Sequence, residues 1–244
     1  MSRILPHPGP GHVAGEQRPQ GKSGALRAAV FGINDGLVSN LSLIMGVTGA
    51  GVSNHVILLA GVAGLLAGAF SMGAGEYISM RVQREVFERL IHLEAHELAT
   101  QPEEELAELV EIYRRKGVPP ELASELTAAL MADPAVALET HAREELGLDP
   151  DELGSPWGAA SSSFLTFSFG AFVPLVPSIV SSGTRAAVAS AILSAVTLFV
   201  VGALVSTLTG KRFWSAGVRM LLVGALAASI TFGIGHLLNV SIGV

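Results

Sequence analysis

Residues 81–153 read RVQREVFERLIHLEAHELATQPEEELAELVEIYRRKGVPPELASELTAALMADPAVALETHAREELGLDPDEL, and they hold 18 of the 21 acidic residues in the chain. No Asp or Glu follows them. With 7 Lys and Arg residues the stretch carries −11, whereas the rest of the chain has 3 acids and 8 bases, or +5. On both sides the chain turns apolar and rich in Gly and Ala, in runs long enough to cross a bilayer, which takes about 20 residues. An acidic, helix-patterned unit is spliced between membrane segments.

Composition agrees with that division. Of the 244 residues 15% are charged, against about 25% in an average soluble domain, and the mean hydropathy is +0.52. An acidic soluble part does not suit nucleic acid, which asks for a basic surface, but it does suit cations. The chain has no cysteine, which excludes disulfides, thiolate metal sites and thiol catalysis. Residues 1–24 are rich in Pro, Gly, His and Arg and lack the apolar core of a signal peptide, so a disordered tail is expected there. His7 and His12 within it are given no role.

Five apolar segments follow, at about 26–48, 55–79, 159–181, 187–209 and 215–239, and they predict five transmembrane helices. The first is the least apolar, with Asn34, Asp35, Ser39 and Asn40. Gly64 and Gly68 in the second stand at GxxxG spacing, which permits close helix approach. Pro174 and Pro177 in the third predict a kink or local unwinding. The positive charges set an orientation. With the N-terminus inside, 14 of the 15 Lys and Arg residues face the cytosol and only Arg185 faces out. That places residues 81–153 in the cytosol and the C-terminus outside.

No proline lies between Pro19 and Pro102, so the second span is expected to run on unbroken to about Ala99. At 1.5 Å per residue such a helix is roughly 65–70 Å long. Thr100 and Glu103 have capping-box spacing with Pro102 in the first turn, and Arg114-Arg115-Lys116 suit a helix end before Gly117. Further helices are expected after Pro119-Pro120, with Leu122, Leu126 and Leu130 at i+4 intervals, and after Asp133-Pro134, stopping at Gly147. The expected divisions are a tail at 1–24, two spans at 25–80, the acidic helical unit at 81–153 and three spans at 154–244. The fold class is an all-α integral membrane protein of five transmembrane helices, with a cytosolic helical metal-binding insert between the second and third.

Within the insert, Glu94 with Glu97, Glu105 with Glu108, and His141 with Glu145 each share a helix face. Carboxylate oxygens and an imidazole at that spacing suit Fe²⁺, Mn²⁺ or Zn²⁺. In a stretch this acidic, pairs such as Glu85–Glu88 also arise by density alone and simply solvate a helix. Within the membrane, Asp35 is the sharper candidate, because an unpaired carboxylate there costs about 2.5–3.5 kcal/mol. Such a group faces a cavity or a polar partner, for which Asn34 and Asn40 are the nearest choices. Met72 and Glu76 lie one turn apart near the inner end of the second span, and with Asp35 they sketch a transport path for metal. No catalytic triad, phosphate loop or nucleotide fingerprint occurs, and the Gly73–Glu76 cluster lacks a strand–turn–helix setting. An enzyme is not expected, and neither is a cofactor.

Taken together, Phe31-Gly32-Ile33-Asn34-Asp35-Gly36-Leu37, Ser71-Met72-Gly73-Ala74-Gly75-Glu76-Tyr77, Glu144-Glu145-Leu146-Gly147-Leu148 and Pro174-Leu175-Val176-Pro177 resemble the vacuolar iron transporter family. The resemblance covers nearly everything from Leu26 to the last span. It implies a homodimer of five-helix protomers that moves Fe²⁺, and often Mn²⁺, out of the cytosol in exchange for protons. It also implies that the insert collects ions before they enter the pore. By position Asp35 and Met72 match the family's metal path in the first two spans. Glu94, Glu97, Glu105, Glu108 and Glu145 match the glutamates of its cytosolic site. Two positions depart from the pattern: His141 stands where the best-known members have methionine, and Gly64 where some have a glutamate. Glu76 is the candidate to take over the latter's role, in a different turn and closer to the cytosol. The membrane implied is the cell membrane in a bacterium and the vacuolar membrane in a eukaryote. A different class of function, a membrane-anchored iron-binding or di-iron oxidase module, would ask for Glu-x-x-His pairs; the sequence offers Glu-x-x-Glu and His141-x-x-x-Glu145.

Overall fold

In hydrocarbon the backbone must satisfy its own N–H and C=O groups, so apolar runs of this length have to coil into helices. The structure, a computed structural model, describes residues 20–209 and 212–242. Among them there are nine α-helices and no strand: α1 (Gln20–Gly49), α2 (Asn54–Thr100), α3 (Pro102–Arg115), α4 (Pro120–Met131), α5 (Pro134–Glu144), α6 (Pro156–Phe172), α7 (Val176–Val180), α8 (Gly183–Thr209) and α9 (Phe213–Ile242). The expected tail lies outside the described residues as far as residue 19, with His7 and His12; from Gln20 the chain is helical. Five helical stretches are long and apolar enough to cross a membrane: Ala28–Gly49, Asn54–Thr100, Pro156–Val180, Gly183–Ser206 and Phe213–Asn239.

The chain divides into two compact units, one of residues 24–86 and 154–244 and the other built on residues 87–153. In the first unit the side-chain pattern is inverted relative to a water-soluble protein. Large apolar residues such as Leu59, Phe70, Leu165, Phe169, Leu222 and Leu237 point outward. Small or polar ones such as Ala69, Ala171, Ser163, Ser190 and Ser194 are buried. That arrangement fits helices solvated by lipid and packed through small residues. Close backbone approach is concentrated on α1. A Cβ at Gly36 would stand 2.2 Å from the Phe167 carbonyl oxygen of α6, and one at Gly235 of α9 would stand 1.9 Å from that of Gly46. The GxxxG glycines admit side chains instead: a Cβ at Gly68 would meet the Phe167 ring and one at Gly64 the Leu43 methyl group.

Ser155 caps α6, its hydroxyl accepting from the Gly158 N–H at 3.1 Å, with Pro156 in the first turn. The helix turns to 3₁₀ geometry over Val173–Leu175 and resumes as α7, so the two prolines do cause a local unwinding. Pro174 has no N–H to donate. Its own carbonyl accepts from the Ser190 hydroxyl of α8 at 2.7 Å.

In the second unit α3 begins with Glu103, Glu104 and Glu105 and ends with Arg114 and Arg115, charges that complement the helix dipole. Gly117 follows at φ +92, in the left-handed region favoured after a helix end. Asp133 caps α5 by accepting from the Ala135 N–H at 2.9 Å. One local expectation fails. Thr100 does not cap α3; it closes α2, where its hydroxyl donates to the His96 carbonyl at 2.8 Å, and Gln101 takes the cap position without a side-chain bond. On α4 the buried residues are Ala123 and Thr127, one place beyond Leu122 and Leu126, which are exposed. Small residues let α4 approach its neighbours more closely than a leucine face would.

Candidate metal centre

The second unit gathers four ligating side chains from three helices. Glu94 comes from the C-terminal part of α2, Glu105 from the first turns of α3, and His141 and Glu145 from the end of α5. Glu105 sits where a helix N-terminus favours a carboxylate, and His141 where a helix C-terminus favours a cation. Glu145 is the C-cap of α5, its N–H donating to the His141 carbonyl. The His141 Nδ1 lies 3.0 Å from Glu94 Oε1, 3.6 Å from Glu105 Oε2 and 3.7 Å from Glu145 Oε2. The imidazole is fully buried and Glu94 and Glu105 nearly so, while Glu145 keeps an open edge.

One donor atom from each residue lies within 4.8 Å of all the others. Donors about 2.0–2.2 Å from a common ion stand at most about 4.4 Å apart, so a cation needs only a few tenths of an ångström of contraction. The geometry around the imidazole also suits a cation better than a hydrogen bond. Glu94 Oε1, His141 Nδ1 and His141 Nε2 are buried and have no hydrogen-bond partner, although the first two are in contact. Buried polar atoms that converge without pairing each cost about 1–3 kcal/mol, and a shared cation satisfies several at once.

The electrostatics follow from crowding. Burial pushes the Glu105 carboxyl up, the Glu94 charge adds to it, His141 opposes it, and Glu145 and Glu108 raise it further, to about 7. Burial by itself would lower the His141 pKa. Its close contacts with the Glu145 and Glu94 carboxylates and the charges of Glu94 and Glu105 override that and hold it at about 9. Protons therefore occupy the cluster near neutrality, and a divalent ion has to displace them. Of the six residues expected to ligate, Glu97 and Glu108 are not in the four-residue group. Glu97 is half-buried on α2, and Glu108 is exposed on α3, close enough to raise the Glu105 pKa.

In the first unit Asp35 and Met72 line one cavity of about 350 Å³ with Ser39, Asn40, Leu43, Gly64, Gly68, Ser71 and Phe167. It opens between α1 and α2, and Phe167 of α6 walls it. Glu76, one turn beyond Met72, is half-buried and is not among the lining residues. Asn40 is 2% exposed and its Nδ2 donates to the Ala171 carbonyl at 2.6 Å. From the sequence it stands only as a polar neighbour for Asp35. The available signal was its place in the same apolar span, five residues on, where a polar side chain needs a reason to be.

A sequence profile of the VIT family matches residues 26–236. The vacuolar iron transporter of Acanthamoeba castellanii is 36% identical over 225 residues, covering 91% of this chain and 82% of that protein. Vacuolar iron transporter 1 of Arabidopsis thaliana is 30% identical over 208 residues, covering 85% and 83%. The vacuolar iron transporter of Toxoplasma gondii is 30% identical over 239 residues, covering 93% and 79%.

Proposed function

Because the chain belongs to the VIT family, we propose that it is a transporter, not an enzyme, and that it carries Fe²⁺ out of the cytosol across a membrane in exchange for protons. The observation that carries this reading is the cavity between α1 and α2, where a carboxylate and a thioether, Asp35 and Met72, line one space among the transmembrane helices. A carboxylate oxygen with a thioether sulfur suits a borderline ion. Protonation of Asp35 from the outer side turns an anionic ligand into a poor one and releases the ion, which couples metal movement to proton movement. Glu76, outside that cavity, is left the part of passing protons or ions towards it.

Residues 81–153 and the N-terminus lie in the cytosol and the C-terminus outside, a reading supported by the positive-inside distribution. In that arrangement Glu94, Glu105, His141 and Glu145 collect the ion, with Glu97 and Glu108 supplying negative field around them. Mn²⁺ is accepted with Fe²⁺, since oxygen-rich sites bind both, and Zn²⁺ suits the His141 site. The working form is a homodimer. The di-iron oxidase reading is not favoured, because the cluster has a single histidine and the relatives are named as transporters.

The test is Fe²⁺ uptake by proteoliposomes containing the full chain under an imposed pH gradient. Uptake should follow the gradient and fall to the level of empty vesicles in Asp35→Ala. Uptake unchanged by that substitution would refute the proposed route.

A further inference from the structure

The cavity between α1 and α2 holds a donor that the proposed transport route has not used. Helix α6 ends at Phe172, so the carbonyl of Ala171 is one of the last four, which have no intrahelical donor. Asn40 of α1 supplies one through Nδ2, at 2.6 Å. Only the amide NH₂ can donate to a carbonyl, so this bond also settles which way round the amide sits. The other end, Oδ1, is turned towards α2, where a Cβ on Gly64 would stand 3.1 Å from it. That oxygen is buried and has no hydrogen-bond partner, in a side chain that is 2% exposed and lines the cavity with Asp35 and Met72. An anchored amide whose oxygen is unpaired, in a side chain that lines a cavity, is a donor held in place for a ligand role.

We propose that Asn40 is a further ligand for the transported ion in the cavity that Asp35 and Met72 also line, and that it biases the cavity towards oxygen-seeking Mn²⁺ and Fe²⁺. The proposal rests on the transport reading and deepens it. Amide carbonyls are hard, neutral donors that suit ions such as Mn²⁺, whereas a thioether favours softer ions. Asn40 adds an oxygen without adding a charge, so the ion can still be released by protonating Asp35 alone. The volume of about 350 Å³ leaves room for an ion that keeps several of its waters. Gly64 keeps the face of Oδ1 open, because a methyl group there would crowd both Oδ1 and the Leu43 side chain, whose Cδ2 would lie 2.5 Å away.

The experiment measures initial uptake of Mn²⁺ and of Cd²⁺, a thiophilic probe, into proteoliposomes of the full chain. Asn40→Leu removes the oxygen and should raise the KM for Mn²⁺ about tenfold or more, the scale of loss typical for groups that hold a metal, with a smaller change for Cd²⁺. Met72→Leu should shift the ratio the other way. Asn40→Leu also breaks the bond to Ala171, so Gly64→Ala provides a second variant that leaves that bond in place and crowds Oδ1 together with the Leu43 side chain. It should move the Mn²⁺ to Cd²⁺ ratio in the same direction as Asn40→Leu. If Gly64→Ala and every folded Asn40 variant leave the ratio unchanged, Asn40 is only a clamp between α1 and α6 and the proposal is overturned. If wild-type vesicles take up no divalent ion, the transport reading falls. Calorimetric Mn²⁺ binding to the detergent-solubilised chain carrying Glu94→Gln, Glu105→Gln, His141→Gln and Glu145→Gln then decides this proposal separately. Binding lost in Gly64→Ala or Asn40→Leu supports it, and binding unchanged in both overturns it.

Discussion

Replacing Glu105 by Gln tests whether protons and metal compete for the buried cluster. With Glu105 at about 7 and His141 at about 9, the wild-type cluster at pH 7 holds about 1.5 protons on these two groups, and binding a dication expels them. The number released falls from about 1.9 at pH 6 to about 1.0 at pH 8, because Glu105 loses its proton across that interval. The slope of log affinity against pH equals the number of protons released, so the Mn²⁺ affinity should rise about a thousandfold between pH 6 and pH 8. Glu105→Gln keeps the size of the side chain and one oxygen but removes the titrating carboxyl. Release should then drop to about one proton at pH 7, from His141 alone, and lose most of its pH dependence. The assay is titration calorimetry of the full chain in detergent, in buffers of different ionisation enthalpy, with Asp35→Asn in every sample to silence the membrane cavity. A wild-type release near zero, or a release at pH 7 unaffected by Glu105→Gln, would refute this reasoning.

Other outcomes follow from the same geometry. His141→Gln removes the proton carried at pKa about 9 and the charge that opposes the rise of the Glu105 pKa, so the remaining proton release should shift to higher pH; the same calorimetry reads it. Both pKa values are raised by folding, so their contribution to stability is complete below the unfolded values of 4.5 and 6.5 and is lost as pH rises through about 7 and 9. Thermal unfolding of the metal-free protein should therefore come at lower temperature at pH 9 than at pH 5, and added Mn²⁺ should restore it most at the higher pH. Gly36→Ala forces a methyl group against backbone of α6 and should destabilise the membrane unit by about 1–3 kcal/mol. Gly75→Ala, with no atom within 4 Å of its Cβ, should be neutral or slightly stabilising; detergent thermal-shift curves compare the two.

Much of the fold could be read from the sequence because each decision rested on a long-range pattern. Twenty-residue apolar runs mark the spans, and the absence of proline before Pro102 marks the length of α2, which ends at Thr100. Pro174 and Pro177 mark the 3₁₀ interruption. Details that depend on tertiary neighbours were not legible. Thr100 has the spacing of a cap, but its hydroxyl is already engaged by the carbonyl of the preceding turn. Leu122 and Leu126 have the spacing of a buried stripe, yet α4 packs through Ala123 and Thr127.

The candidate metal centre shows the same limit. Helical spacing selects Glu94 with Glu97 and Glu105 with Glu108, since residues three apart share a face. Only the first member of each pair belongs to the cluster around His141. A side chain one turn further along the same face can reach past a compact site, and which turn meets it depends on how three helices cross. His141 was legible as a ligand type but not as the centre of the group. Asn40 is marked in the sequence only as a polar side chain in an apolar span, because its unpaired oxygen exists only once α6 has taken up the other end of the amide.

Metal–proton exchange is measured most directly in vesicles that report both ions at once. Proteoliposomes with the full chain would carry a lumenal iron-quenched dye and a lumenal pH dye, with Fe²⁺ added outside and the lumen acidic. Coupled exchange predicts that Fe²⁺ entry and proton exit start together, keep a fixed ratio and vanish together in Asp35→Ala. Fe²⁺ entry at full rate with no proton exit, or entry that persists in Asp35→Ala, would contradict it.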